Sequence, residues 1–137
     1  MDDIEKQLKR WKSKTLGSCR DATAKVLQEL RRREESDSEG FCTCVTCGKV
    51  SKWNNKMQGG HYVSRRHSST CLLSLNIWPQ CLRCNQILNG NLGQYRLFLG
   101  DRLATKLENL SRVNYQFTRY GLAKRIVNFR RRIEWLR

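Results

Sequence analysis

Carboxylates are almost missing from most of this chain. After Gly40 only Asp101, Glu108 and Glu134 remain, so an acidic metal ligand in that part has few sources. Histidine is as scarce: His61 and His67 are the only two, and both fall in "GGHYVSRRH", Gly59 to His67. No apolar run approaches the roughly 18 residues that a membrane span requires. The N-terminus "MDDIEKQLKRWK" is charged from its second residue. The expectation is a soluble, intracellular protein, neither secreted nor inserted in a membrane. Seven cysteines cannot all pair, and four of them form two C-x-x-C pairs, which in an intracellular chain reads as metal ligation before disulfides.

What the chain has in excess is positive charge. Its 137 residues suit one compact domain, and a formal charge of +15 points to a polyanionic partner. The charge is unevenly spread. Residues 1–40 hold ten Lys/Arg against nine Asp/Glu, whereas residues 41–137 hold seventeen against three. The basic surface therefore belongs to the part after Gly40, and DNA is the expected partner.

Three segments are expected. Residues 1–40 read as a helical arm: Ile4, Leu8 and Trp11 recur at helical spacing, then Ala22, Val26 and Leu30, with Gly17 and Ser18 as a break and "ESDSEG" as a linker. Interleaved acids and bases suit a solvated or self-associating helix pair. Residues 41–95 read as short strands and turns, punctuated by Gly48, Asn54-Asn55 and Gly59-Gly60, with helix returning after Cys84. Residues 96–137 read as basic helices packing on that core. The last places Leu122, Ile126, Phe129, Ile133 and Leu136 on one stripe, with its cations mostly elsewhere. The fold class is α+β.

Cys44 and Cys47 in "CVTCGK" and Cys81 and Cys84 in "CLRCN" are candidate zinc ligands. Two residues between thiolates let a tight knuckle aim both sulfurs at one ion, and two knuckles complete a tetrahedral shell. Four thiolates leave no open position, so the zinc is expected to be structural. Cys42 can replace Cys44 at poorer spacing, and Cys19 and Cys71 read as buried small hydrophobes. His61, flanked by glycines between the knuckles, reads as a functional histidine; the alternative is a hydrogen-bonded structural one. Asn85 can serve as a ligand, a helix N-cap or both.

The order of His61, Asn76 and Asn85 around paired cysteines resembles the HNH nucleases, whose active site is a β-hairpin and helix clasping one metal ion. More closely, "CVTCG…GGHYVSR…LNIWPQCLRCN…NGNLGQYR" resembles the NinG/Rap recombination proteins of lambdoid bacteriophages, well over residues 44–96 and weakly beyond. The resemblance implies a zinc-stabilised ββα-metal core and a Mg²⁺- or Mn²⁺-dependent endonuclease. Its implied substrates are branched recombination intermediates such as Holliday junctions and D-loops. By the same resemblance His61 is the general base, Asn76 braces the loop that bears it, and Asn85 is a ligand of the catalytic ion.

This chain also departs from those patterns. Where many HNH sites place an acid directly before the histidine it has Gly60, and where NinG relatives often have an acid three positions before it has Gln58. Glu108, and after it Asp101, are the candidate carboxylate ligands. Arg65, Arg66, Arg83 and Arg96 are candidate DNA contacts by their closeness in sequence to His61 and the second knuckle. Symmetric cleavage of a junction needs two active sites, so a homodimer joined through the arm helices is expected. The competing expectations are a zinc-stabilised branched-DNA binding module without catalysis, and a nuclease acting on ordinary duplex.

Overall fold

The computed structural model describes residues 1–136. Asp2 opens helix α1 (Asp3–Arg10) with a capping box, its carboxylate accepting from the Glu5 N–H while Glu5 accepts from the Asp2 N–H. Helix α2 (Leu16–Glu34) starts where the Thr15 hydroxyl accepts the Ser18 N–H at 3.1 Å. Gly17 and Ser18, expected to separate the helices, thus lie inside α2. A side-chain cap at Thr15 decides the boundary before the glycine can.

After an Asp37-braced turn come two short antiparallel strands, β1 (Phe41–Thr43) and β2 (Val50–Lys52). A second antiparallel pair follows, β3 (Met57–His61) with β4 (Ile77–Cys81), in which His61 stands opposite Ile77 and Met57 opposite Cys81. A one-turn 3₁₀ segment, Ser74–Asn76, leads into β4, and a π-helical turn, Arg83–Ile87, follows it. Helices α3 (Leu92–Leu99), α4 (Asp101–Leu110) and α5 (Arg119–Trp135) complete the chain. The class is α+β, and no helix among the described residues is long and apolar enough to cross a membrane.

The first 40 residues are not a separate arm. Trp11, Cys19, Ala24, Leu27 and Leu30 share one buried cluster with Ile77 of β4 and with Leu122, Ala123, Ile126, Phe129 and Ile133 of α5. Each large aliphatic side chain buried there contributes about 1.5–3 kcal/mol, so the core would be lost without the first two helices. The apolar faces expected to join two copies are therefore used within one chain. The stripe on α5 holds except at its end, where Leu136 lies past the helix and is exposed.

Arg31 ties α2 to the sheet. Its buried guanidinium donates from Nε to the carbonyls of Ser74 (3.0 Å) and Ile77 (2.9 Å) and lies 4.3 Å from the centre of the Trp78 ring. Gly59 and Gly60, expected as turn punctuation, are interior to β3. A Cβ on Gly59 would come within 2.7 Å of the Gln28 Cβ, and one on Gly60 within 1.8 Å of the Gln80 Oε1. These glycines let α2 and a buried glutamine close directly on the strand backbone.

Candidate functional site

The sulfurs of Cys44, Cys47, Cys81 and Cys84 all lie within 4.8 Å of one another, with Cys47 and Cys81 3.7 Å apart. Tetrahedral thiolates bound at about 2.3 Å to zinc sit roughly 3.8 Å apart, so this cluster can hold a structural zinc ion. The first knuckle turns at Gly48, whose φ of +83° is open to glycine without strain, and its N–H donates to the Cys44 carbonyl at 2.9 Å. Val45 N–H then donates to the Pro79 carbonyl at 3.0 Å, locking the knuckle onto β4. Cys42 is buried beside the cluster but is not one of the four.

The clasp sets where Asn85 stands. Cys81 ends β4 and Cys84 lies in the π-helical turn, so a single ion held by the four thiolates would join the strand to the turn that carries Asn85. The Asn85 Nδ2 donates to the Gln58 Oε1 at 2.7 Å, and Gln86 Nε2 reaches the same oxygen at 3.2 Å. Asn85 is therefore not a helix N-cap here. Gln58 and His61 come from the same strand, and both line one cleft of about 590 Å³ together with Asn85.

His61 Nε2 lies 3.0 Å from the Cys71 carbonyl. A carbonyl only accepts, so Nε2 carries the proton and Nδ1 keeps its lone pair. Burial lowers the pKa of the ring from its usual 6.5; the Cys71 carbonyl partly opposes this and Arg65 reinforces it. The imidazole is thus neutral at pH 7. The loop joining β3 to β4 is held by fully buried Asn76: its Oδ1 accepts the Val63 N–H at 2.8 Å, and its Nδ2 donates to the carbonyls of Val63 (3.0 Å) and Thr70 (3.2 Å). On the other side, fully buried Tyr95 donates to the Gly60 carbonyl at 2.6 Å.

The charged candidates divide. Arg65 lines the cleft, whereas Arg66 and Arg83 are exposed and do not. Arg96 is turned elsewhere: it pairs with Glu108, contacts Asp101 at 3.5 Å and donates to the Thr105 hydroxyl at 3.0 Å. Glu108 also accepts from the Tyr62 hydroxyl, and these partners hold its carboxyl below the usual range, the Tyr62 bond foremost. Neither Glu108 nor Asp101 lines the cleft, and no carboxylate among the described residues does. His67 is exposed, with Nδ1 3.2 Å from the Ser111 carbonyl.

Two lining residues come from the segment that the sequence suggested was a helical arm. Gln28 and Arg32 of α2 form part of the cleft wall, and burial lowers the pKa of Arg32 while its Nε has no hydrogen-bond partner. The run "RRREE" was the available signal for Arg32, but it reads equally as a solvated helix end.

The sequence model of one protein family, described as bacteriophage lambda NinG protein, matches residues 2–132. No curated protein and no solved structure matches the chain.

Proposed function

Because this chain belongs to the NinG family of bacteriophage recombination-associated proteins, we propose that it is a metal-dependent, structure-specific DNA endonuclease acting on branched recombination intermediates such as Holliday junctions and D-loops. The observation that carries this reading is that His61, Gln58 and Asn85 line one cleft, with the His61 ring fixed in the tautomer that leaves Nδ1 as acceptor. The strand pair β3–β4 followed by the helical turn would then be the hairpin and helix of an HNH-type ββα-metal core.

The cleft can be tested for a cation by its donors. The amide oxygen of Asn85 is a hard, neutral ligand that suits Mg²⁺ or Mn²⁺, the Gln58 oxygen could join it only by giving up one of the two amide bonds it accepts, and two arginines on the wall disfavour a bare cation. Such a set fits an ion that arrives with, and is completed by, a substrate phosphate. When bound, that ion would neutralise charge building on the phosphorus and its leaving oxygen.

The remaining tasks fall to the chain. Arg65 and Arg32 attract and orient the backbone phosphate. Nδ1 of His61 takes a proton from the attacking water, and the Cys71 carbonyl stabilises the imidazolium that forms. Asn76 keeps that carbonyl and the ring in register. A homodimer would supply the two sites that symmetric cleavage needs, through a surface other than the packed faces of α1 and α2.

The test is incubation of the purified protein with a four-way junction, a D-loop and a linear duplex under Mg²⁺ or Mn²⁺. Metal-dependent cleavage of the branched substrates is expected, reduced about 10²–10⁴-fold by His61→Ala. Cleavage of linear duplex at the same rate would move the substrate to ordinary duplex. The missing carboxylate favours a second reading, a zinc-stabilised branched-DNA binding module without catalysis; it requires junction binding, no nicking under either metal, and binding unchanged by His61→Ala.

A further inference from the structure

A second surface, built from other residues than the His61 cleft, has the chemistry of a nucleic-acid contact. The segment between α4 and α5 is stitched to the loop that carries His67: Tyr115 N–H donates to the Ser68 hydroxyl at 2.8 Å, and the Ser69 hydroxyl donates to the Leu110 carbonyl at 2.5 Å. This holds Tyr115 beside α5, where it packs edge-on against Phe117 with ring centres 4.8 Å apart. The Arg125 guanidinium lies 5.5 Å and 5.3 Å from those two ring centres and donates to the Tyr115 hydroxyl at 3.3 Å. Near the start of α5, Tyr120 has Lys124 5.6 Å from its ring centre. Between the two tyrosines runs an open groove of about 520 Å³, also bordered by Gly121 and Asn128.

Three properties of this groove point the same way. Tyr115 and Tyr120 leave 47% and 56% of their surface exposed, a large aromatic area for the chain to leave wet if packing were its only use. Each ring is paired with a cation, and no carboxylate among the described residues borders the groove. Gly121 adds no side chain of its own to the groove, and the Arg125 guanidinium is held there by donating to the Gly121 carbonyl at 3.2 Å.

Flat aromatic faces with interleaved cations suit a chain that offers both π-faces and phosphates. Duplex DNA offers only base edges and phosphates, because its base faces are stacked inside. We propose that the groove between Tyr115 and Tyr120 binds unpaired nucleotides of a single DNA strand, the bases stacking on the tyrosines and the phosphates meeting Lys124 and Arg125.

The site goes beyond the cleavage reading and is tested without it. Binding of fluorescein-labelled oligo(dT) and of a labelled blunt-ended linear duplex is followed by anisotropy with no divalent ion added, so a protein that cuts no DNA still decides the question. Tyr120→Ala and Tyr115→Ala are each expected to weaken oligo(dT) binding about tenfold while leaving duplex binding within about twofold. Tyr120→Phe, which keeps the face, is expected to bind like the parent chain. Lys124→Gln should lower the salt dependence of oligo(dT) binding by about 0.7 in log–log slope. Tyr120 is exposed, so its alanine variant is expected to keep the parent melting temperature, and Tyr120→Phe controls for any loss of fold.

Unchanged oligo(dT) affinity in both alanine variants would overturn the proposal. So would an equal loss toward duplex or toward poly-L-glutamate, which would mark the groove as an unselective polyanion or acidic-peptide surface.

Discussion

Asn76 holds Val63 by both ends of its amide, accepting the Val63 N–H at 2.8 Å and donating to the Val63 carbonyl at 3.0 Å. With the further bond to Thr70 the side chain spans the base of the loop between β3 and β4, at a position without solvent access. Asn76→Ala leaves the buried Val63 N–H and carbonyl unpaired, while the Thr70 carbonyl keeps the Leu73 N–H at 3.2 Å, a loss of about 2–3 kcal/mol. Asn76→Asp is expected to be no milder, since it sets a carboxylate against two carbonyls. Urea unfolding at neutral pH measures both, and a loss under about 1 kcal/mol would contradict the bracing role.

The absence of an acid before His61 follows from packing. Buried Gln80 donates to the Gly90 carbonyl at 2.8 Å and to the Thr46 hydroxyl at 3.1 Å, and its Oε1 covers Gly60. Gly60→Ala should therefore destabilise the fold by about 1–3 kcal/mol. Combined with Gln80→Ala, the two changes should cost less than their sum, because the shortened residue clears the added methyl. Additive effects in a double-mutant cycle would rule out this steric account.

What could be read from the sequence was local. The knuckles were legible because two residues between thiolates is itself the geometry of a metal turn, and the α5 stripe because 3.6-residue periodicity lies in consecutive residues. The seat of α2 on the sheet was not, because its contacts join Gln28 to Gly59 and Arg31 to carbonyls some 30 to 46 residues away, which leave no periodic trace. Gly59 and Gly60 read as a turn for the same reason: a glycine that admits a neighbouring helix looks like one that reverses the chain. His61, Asn76 and Asn85 could be singled out by their order around the knuckles, but the Arg96–Glu108 pair could not, and Glu108 looked free when it is engaged by Arg96 and Tyr62.

The imidazole of His61 gives two pH dependences of known sign. Burial sets its folded pKa below 6.5, so the unfolded chain binds more protons on the acid side. Its contribution to stability is therefore fully present above about pH 6.5 and is lost as pH falls toward the folded value. In His61→Asn this part of the acid loss should vanish from a series of urea unfolding curves between pH 7.5 and 5. Cleavage, if Nδ1 is the base, should rise with pH along a limb centred below 6.5 and stay level above it. A limb centred above 7 would point to another base.

Zinc should be needed for the cleft as well as for the knuckles. One ion per chain is expected by atomic emission, and its removal by a chelator should cost several kcal/mol and release the π-helical turn that carries Asn85. Cys84→Ser is expected to do the same. Amide hydrogen exchange at residues 81–90 reports it, and protection that survives metal removal would contradict the proposed coupling.

Restoring a carboxylate to the cleft distinguishes the two candidate sources of an acidic ligand. Gln58 Oε1 already lies 2.7 Å from the Asn85 amide, so Gln58→Glu places an anion in the cleft without adding volume, and it faces Arg32 and Arg65 on the same wall. Mn²⁺ affinity, read from water-proton relaxation in the absence of DNA, should rise by about tenfold or more, since a carboxylate replaces a neutral amide at a hard cation. Glu108→Gln should leave that affinity unchanged, because Glu108 is held by Arg96 and Tyr62 outside the cleft. If instead Glu108→Gln abolishes Mn²⁺ binding and Gln58→Glu has no effect, the ion sits on the α4 side of Tyr62 and the cleft has been assigned to the wrong chemistry.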